Sequence, residues 1–202
     1  MIAARSGPSL LSIPVLAFVA AVLTGCAPGL FGPANGSQAV ERQAGQTPQD
    51  RAVSDRIKSH WAKTELDPDG RLVVMVVDGV AMVTGSAPNR ERREDVIDAA
   101  GEVDGVNRVI NEVRLGPPDS SSAIARDRWI RARLRSRLSL DPGITARNYA
   151  IEVSNAVIYL MGHSPTERER DRVLAHARDI SYVQRIVESI QVGEDELALQ
   201  SR

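Results

Sequence analysis

The sequence predicts an α+β protein: two tandem αββαβ units, each a small mixed three-stranded sheet packed against two helices, behind a tether expected to be disordered and lipidated. Three observations carry this reading. Sliding the chain by 77 residues superposes Asp50–Leu115 on Asp127–Val192 without a gap, pairing Ile57 with Leu134, Gly85 with Gly162, Val96 with Val173 and Ala100 with Ala177. Within each copy the apolar spacing changes in one fixed order, from helical to strand-like and back. Ahead of the first copy, over Ala27–Gln49, and between the copies the chain is rich in Gly, Pro, Ser and other small or polar residues and has no apolar period.

Residues 1–25 read as an address. Arg5 and the free amine precede an apolar run, Pro8–Val22, that is shorter than the roughly 20 residues of a spanning helix and is interrupted by Pro14. Leu23-Thr24-Gly25-Cys26 follows and resembles the lipobox of bacterial lipoproteins. That resemblance implies cleavage before Cys26 and acylation of its thiol, and the absence of Asp at Ala27 implies sorting to the outer membrane, facing the periplasm. Cys26 is the only cysteine, so no intramolecular disulfide can form. Several acyl chains anchor stably where one is marginal. Residues 26–49 then read as a flexible tether.

The first unit spans 50–115 and the second 124–192. Each opens with a helix on which Val53, Ile57 and Trp61, or Ile130, Leu134 and Leu138, recur every four residues. A strand follows, Leu72–Val77 or Tyr149–Val153. A tight turn at Asp78-Gly79 or Asn155-Ala156 leads into a second strand, Val80–Thr84 or Val157–Met161. Gly85 and Gly162 are read as ending that strand, where a side chain would obstruct the bend into the next helix. That helix is expected to start at Ser164-Pro165-Thr166-Glu167, with Ser164 as cap, and at Ala87-Pro88 in the first copy. A closing strand, Asn107–Leu115 or Gln184–Val192, completes each unit. Residues 116–123 form a linker and 193–202 an acidic tail.

This order resembles the BON-domain family. The residues that carry the resemblance are Val80-Ala81-Met82-Val83-Thr84-Gly85 with Gly105-Val106-Asn107-Arg108-Val109-Ile110-Asn111-Glu112-Val113, and in the second copy Val157-Ile158-Tyr159-Leu160-Met161-Gly162 with Tyr182-Val183-Gln184-Arg185-Ile186-Val187. Tyr182 stands where the family often has glycine, and Ala156 replaces the turn glycine; both departures bear on loop shape. Joined to a lipobox, two such units resemble the dual-BON outer-membrane lipoproteins. The resemblance implies a non-enzymatic role in maintaining the outer membrane and binding of anionic phospholipid, mainly by the second unit.

The residues point to a face for such binding. Trp61 falls on the core stripe of its helix, whereas Trp129 points roughly 140° from the centre of the stripe formed by Ile130, Leu134 and Leu138. Six arginines against one acid give Arg126–Arg137 about +5, while Asp50–Lys63 carries about +2. An indole among Arg126, Arg128, Arg133 and Arg137 suits a phosphate-bearing headgroup layer. The same Trp on a polar helix also suits packing against the neighbouring unit. The expected partner is an anionic phospholipid membrane. The alternatives are an adaptor for envelope proteins, with the lipid only an anchor, and a stress-related chaperone-like role.

Other classes find little support. A net charge of −1 argues against a dedicated nucleic-acid binder. His60, His163 and His176 are far apart and read as ordinary surface or boundary residues, so no metal site is expected. Glu91, Glu94, Asp95, Glu167, Glu169 and Asp171 alternate with arginines in the solvated helical pattern. No triad, phosphate loop or cofactor motif is recognisable, and no catalytic residue or cofactor is assigned.

Overall fold

Two runs of apolar residues without polar alternation, Leu72–Val77 and Val157–Met161, set the architecture, because both faces of such strands must be covered. The structure, a computed structural model, describes residues 45–193. The signal-like segment 1–25, Cys26, the tether as far as 44 and the tail from 194 lie outside the described residues. The first copy comprises α1 (Pro48–Lys63), β1 (Leu72–Val77), β2 (Val80–Ala87), α2 (Arg90–Gly101) and β3 (Arg108–Leu115). The second comprises α3 (Ser121–Leu140), a single 3-10 turn (Ala146–Asn148), β4 (Tyr149–Ser154), β5 (Val157–Ser164), α4 (Glu167–Arg178) and β6 (Arg185–Val192). Each sheet has its second strand in the middle, antiparallel to the first and parallel to the third. The parallel pair needs a crossover, which α2 and α4 supply.

Alternation along the strands divides each sheet into two apolar faces. Val74, Val76, Ala81 and Val83 meet Val53, Ile57 and Trp61 of α1 and Val96 and Ala100 of α2. Ile151, Val153, Ile158 and Leu160 meet Ile130, Leu134 and Leu138 of α3 and Val173, Leu174 and Ala177 of α4. The residues between them point the other way: Met75, Val77 and Met82 pack against Ala150, Val157, Tyr159 and Met161, so the two sheets stand back to back. Trp61 is buried as its spacing requires, and its Nε1 donates to the Val96 carbonyl at 3.1 Å.

Polar pairs flank this contact. Arg185 donates to Glu112 at 2.7 Å, and His163 meets Asp78, joining the copies on either side of the apolar patch. His163 is half-exposed, a surface residue as expected, and it also bridges the two units. Burial pushes the Tyr159 phenol up to about 12, with the Glu112 carboxylate adding to the effect.

Several boundaries differ from those the sequence suggests. Thr47 caps α1 in a reciprocal capping box with Asp50, so the helix starts at Pro48, and Gly45 already donates to the Arg147 carbonyl at 2.7 Å. Residues 45–49 thus belong to the folded part and not to the tether. Ser120 caps α3, which takes three residues of the expected linker. The caps of α2 and α4 are Asn89 and Thr166, not Ala87-Pro88 and Ser164. Ser164 remains in β5, paired with Val192, because the parallel ladder extends past the glycine.

Gly85 and Gly162 do not end their strands. They sit inside β2 and β5 at φ +117° and +146°, opposite Leu72 and Tyr149. A Cβ at either would collide with the carbonyl oxygen of Arg71 or Asn148, where the preceding segment enters the hairpin. The glycine is required by this close backbone approach, not by a bend toward the helix. Gly162→Ala combines a left-handed φ with a backbone clash and is expected to destabilise the chain by about 3 kcal/mol or more, read from urea unfolding midpoints.

Candidate functional site

The 20-residue helix α3 presents a different group of side chains on each of its sides. Ile130, Leu134 and Leu138 face the core and are fully buried. Asp127 is also on the inner side, buried, and its carboxylate accepts from the backbone N–H of Asn155 at 2.6 Å and of Ala156 at 2.8 Å. These bonds hold the β4–β5 turn, in which both residues adopt positive φ (49° and 64°), so alanine keeps the turn that glycine would make easily. Asp50 does the same in the first copy, accepting from Asp78 N–H at 3.0 Å. The local sequence does not mark this turn-holding role for either aspartate. The available signal was an acid at the same position of both opening helices, aligned by the repeat.

On one flank of α3 the arginines serve the structure. Arg131 pairs with the buried Glu152, and Arg135 donates to the carbonyls of Ala146 at 3.0 Å and Tyr149 at 3.2 Å. Arg128 lies on this side too, lining a cleft of about 520 Å³ between the copies with Thr84, Ser86 and Glu152. It is roughly 100° around the helix from Trp129, and the two are not brought together.

The outward side carries Trp129, 48% exposed, with Arg133 one turn further and Leu140, 80% exposed, on the same line. Arg133 makes no hydrogen bond or ion pair among the described residues. Arg126 adjoins Trp129 but is half-buried, with its Nε 3.8 Å from Asp127 Oδ1. Arg137 is committed elsewhere: it donates to the Asp179 carboxylate at 2.6 Å and carbonyl at 3.2 Å, tying α3 to the end of α4. Of the four arginines expected around the indole, Arg126 and Arg133 are there, Arg137 is paired, and Arg128 faces the cleft.

The structure adds a residue that the sequence reading did not place in the site. Tyr182, in the turn before β6, lies with its ring centroid 6.0 Å from that of Trp129 at an interplanar angle of 72°. Tyr182 is 70% exposed and holds φ +71°. Its departure from the usual glycine was the available signal. Trp129 therefore meets an aromatic ring of its own copy.

At the C-terminal end of α3, Asp141 gathers three donors: the Arg172 guanidinium, His176 Nε2 at 2.8 Å and Gly143 N–H at 2.9 Å. His176, a part-buried boundary residue, and then Arg172 and the Gly143 amide hold the Asp141 carboxyl well below the ordinary value of 3.8. A depressed carboxylate stabilises the fold above its unfolded value, and that contribution is lost as pH falls further, toward the folded value. Wild type should lose stability below about pH 4, while Asp141→Asn should be less stable at pH 7 and show a shallower acid decline, measured by thermal unfolding across pH 2–7.

Among the described residues no group of three or more His, Cys, Asp or Glu could hold a metal ion. No described helix is long and apolar enough to cross a membrane.

Comparison with known proteins accords with this architecture. A family model described as "BON domain" matches residues 49–117 and 126–194. The chain is 25% identical over 151 residues to the 21 kDa hemolysin of Actinobacillus pleuropneumoniae, covering 74% of this chain and 77% of that one. It is 23% identical over 147 residues to the outer membrane lipoprotein DolP of Haemophilus influenzae, covering 72% and 76%. A shorter match, 27% over 67 residues, links 33% of the chain to 45% of the potassium binding protein Kbp of Escherichia coli.

Proposed function

The chain belongs to the BON-domain family, and from that premise we propose that it is an outer-membrane lipoprotein, acylated at Cys26, whose second unit docks on anionic phospholipid through the outward face of α3. The observation that carries this reading is the exposed Trp129 beside Arg133 and Arg126 on a helix whose other faces are occupied. An indole partitions into the interfacial layer, where its ring is half desolvated. A guanidinium next to it can bind phosphate oxygens bidentately. Each basic residue near an anionic surface contributes about 1 kcal/mol, screened by salt. The similarity to an outer membrane lipoprotein supports the compartment, and Cys26 supplies the anchor that keeps α3 within reach of a bilayer. No catalytic step is assigned: the role is to bind, and through binding to support the envelope.

The test is co-sedimentation of the chain from residue 27, which keeps every described element, with vesicles containing phosphatidylglycerol. Trp129→Glu should weaken binding at least about tenfold, since it replaces an interfacial ring with a repelled carboxylate. Unchanged binding would refute the docking reading. Absence of any wild-type binding would instead favour a protein adaptor held by its lipid.

A further inference from the structure

The two copies place apolar core residues at matching positions, so the places where they differ outside are informative. Position 52 of α1, aligned with Trp129, is alanine. Position 105, aligned with Tyr182, is glycine at φ +95°, and a Cβ built there would approach Val53 Cγ2 at 2.9 Å. The second copy keeps the left-handed turn yet places a tyrosine in it at φ +71°. Both large rings are present in the second copy and both are absent from the first.

Burial does not account for Tyr182. A left-handed conformation strains a bulky side chain, and a residue 70% exposed recovers little of that strain through burial. Ala156, also at positive φ, is different: it is fully buried and its N–H bonds to Asp127. Strain kept at an exposed position without compensating burial points to use of the side chain.

We propose that Tyr182 is a second anchor of the docking face, forming with Trp129 a two-ring wedge that enters the headgroup layer of an anionic bilayer. The inference rests on the docking reading of α3. The edge-to-face contact fixes both rings before the membrane is met, so little side-chain freedom is lost on binding. The phenol suits the interface, with its ring among glycerol and acyl carbons and its hydroxyl turned to phosphate and water. Arg133, one turn from the indole and unpaired among the described residues, supplies charge for the same headgroups.

The experiment uses the chain from residue 27 and vesicles of phosphatidylglycerol mixed with phosphatidylcholine, with urea unfolding in parallel. Tyr182→Gly should raise the unfolding midpoint, because strain is relieved, while weakening vesicle binding about fivefold or more; Tyr182→Phe should retain most of the binding. A residue that served only the fold would behave in the opposite way. If Trp129→Glu weakens binding and Tyr182→Gly does not, the second anchor is refuted and the docking reading stands. If neither variant weakens binding, both fail.

Discussion

The apolar contact between the backs of the two sheets governs the rest of the molecule. Met75, Val77 and Met82 on one side and Ala150, Val157, Tyr159 and Met161 on the other leave neither hairpin with a solvated face. Each unit alone would expose a row of methionine, valine and tyrosine to water, an aggregation hazard for so small a sheet. Joined, they leave helices and turns as their principal exterior. Two copies with apolar cores at matching positions can therefore diverge on those outer elements without disturbing the fold.

That division explains where the arginines of α3 go. Arg131 and Arg135 reach around the edge strand to Glu152 and to backbone carbonyls, and Arg137 reaches Asp179. A helix of net charge near +5 by sequence thus presents a smaller free charge: Arg133 on the outward side and Arg128 at the cleft make no hydrogen bond or ion pair among the described residues, while Arg126 lies 3.8 Å from Asp127. The difference matters because a paired guanidinium contributes far less to attraction of an anionic surface than an unpaired one.

Much of this was legible in the sequence. The repeat and its changes of period gave the order of elements, and helical spacing separated buried Trp61 from exposed Trp129. What escaped was set by long-range backbone geometry. Gly85 and Gly162 looked like strand ends because their collision partners, Arg71 and Asn148, are distant in sequence. Asp127 looked like one charge among many because its two amide donors lie 28 and 29 residues away. The hydrogen bonds of His163 and His176 span 85 and 35 residues, beyond any local pattern. The two-sided burial of the sheets could have been inferred from Leu72–Val77, where no polar residue interrupts the run.

The central claim is that a common interior carries two unlike exteriors, only one of which meets a membrane. Hydrogen exchange of the chain with and without phosphatidylglycerol vesicles tests it most directly. The account predicts slowed exchange across Ser121–Leu140 and the turn at Tyr182, with Pro48–Lys63 unchanged. Equal slowing of both opening helices, or slowing confined to Pro48–Lys63, would contradict it.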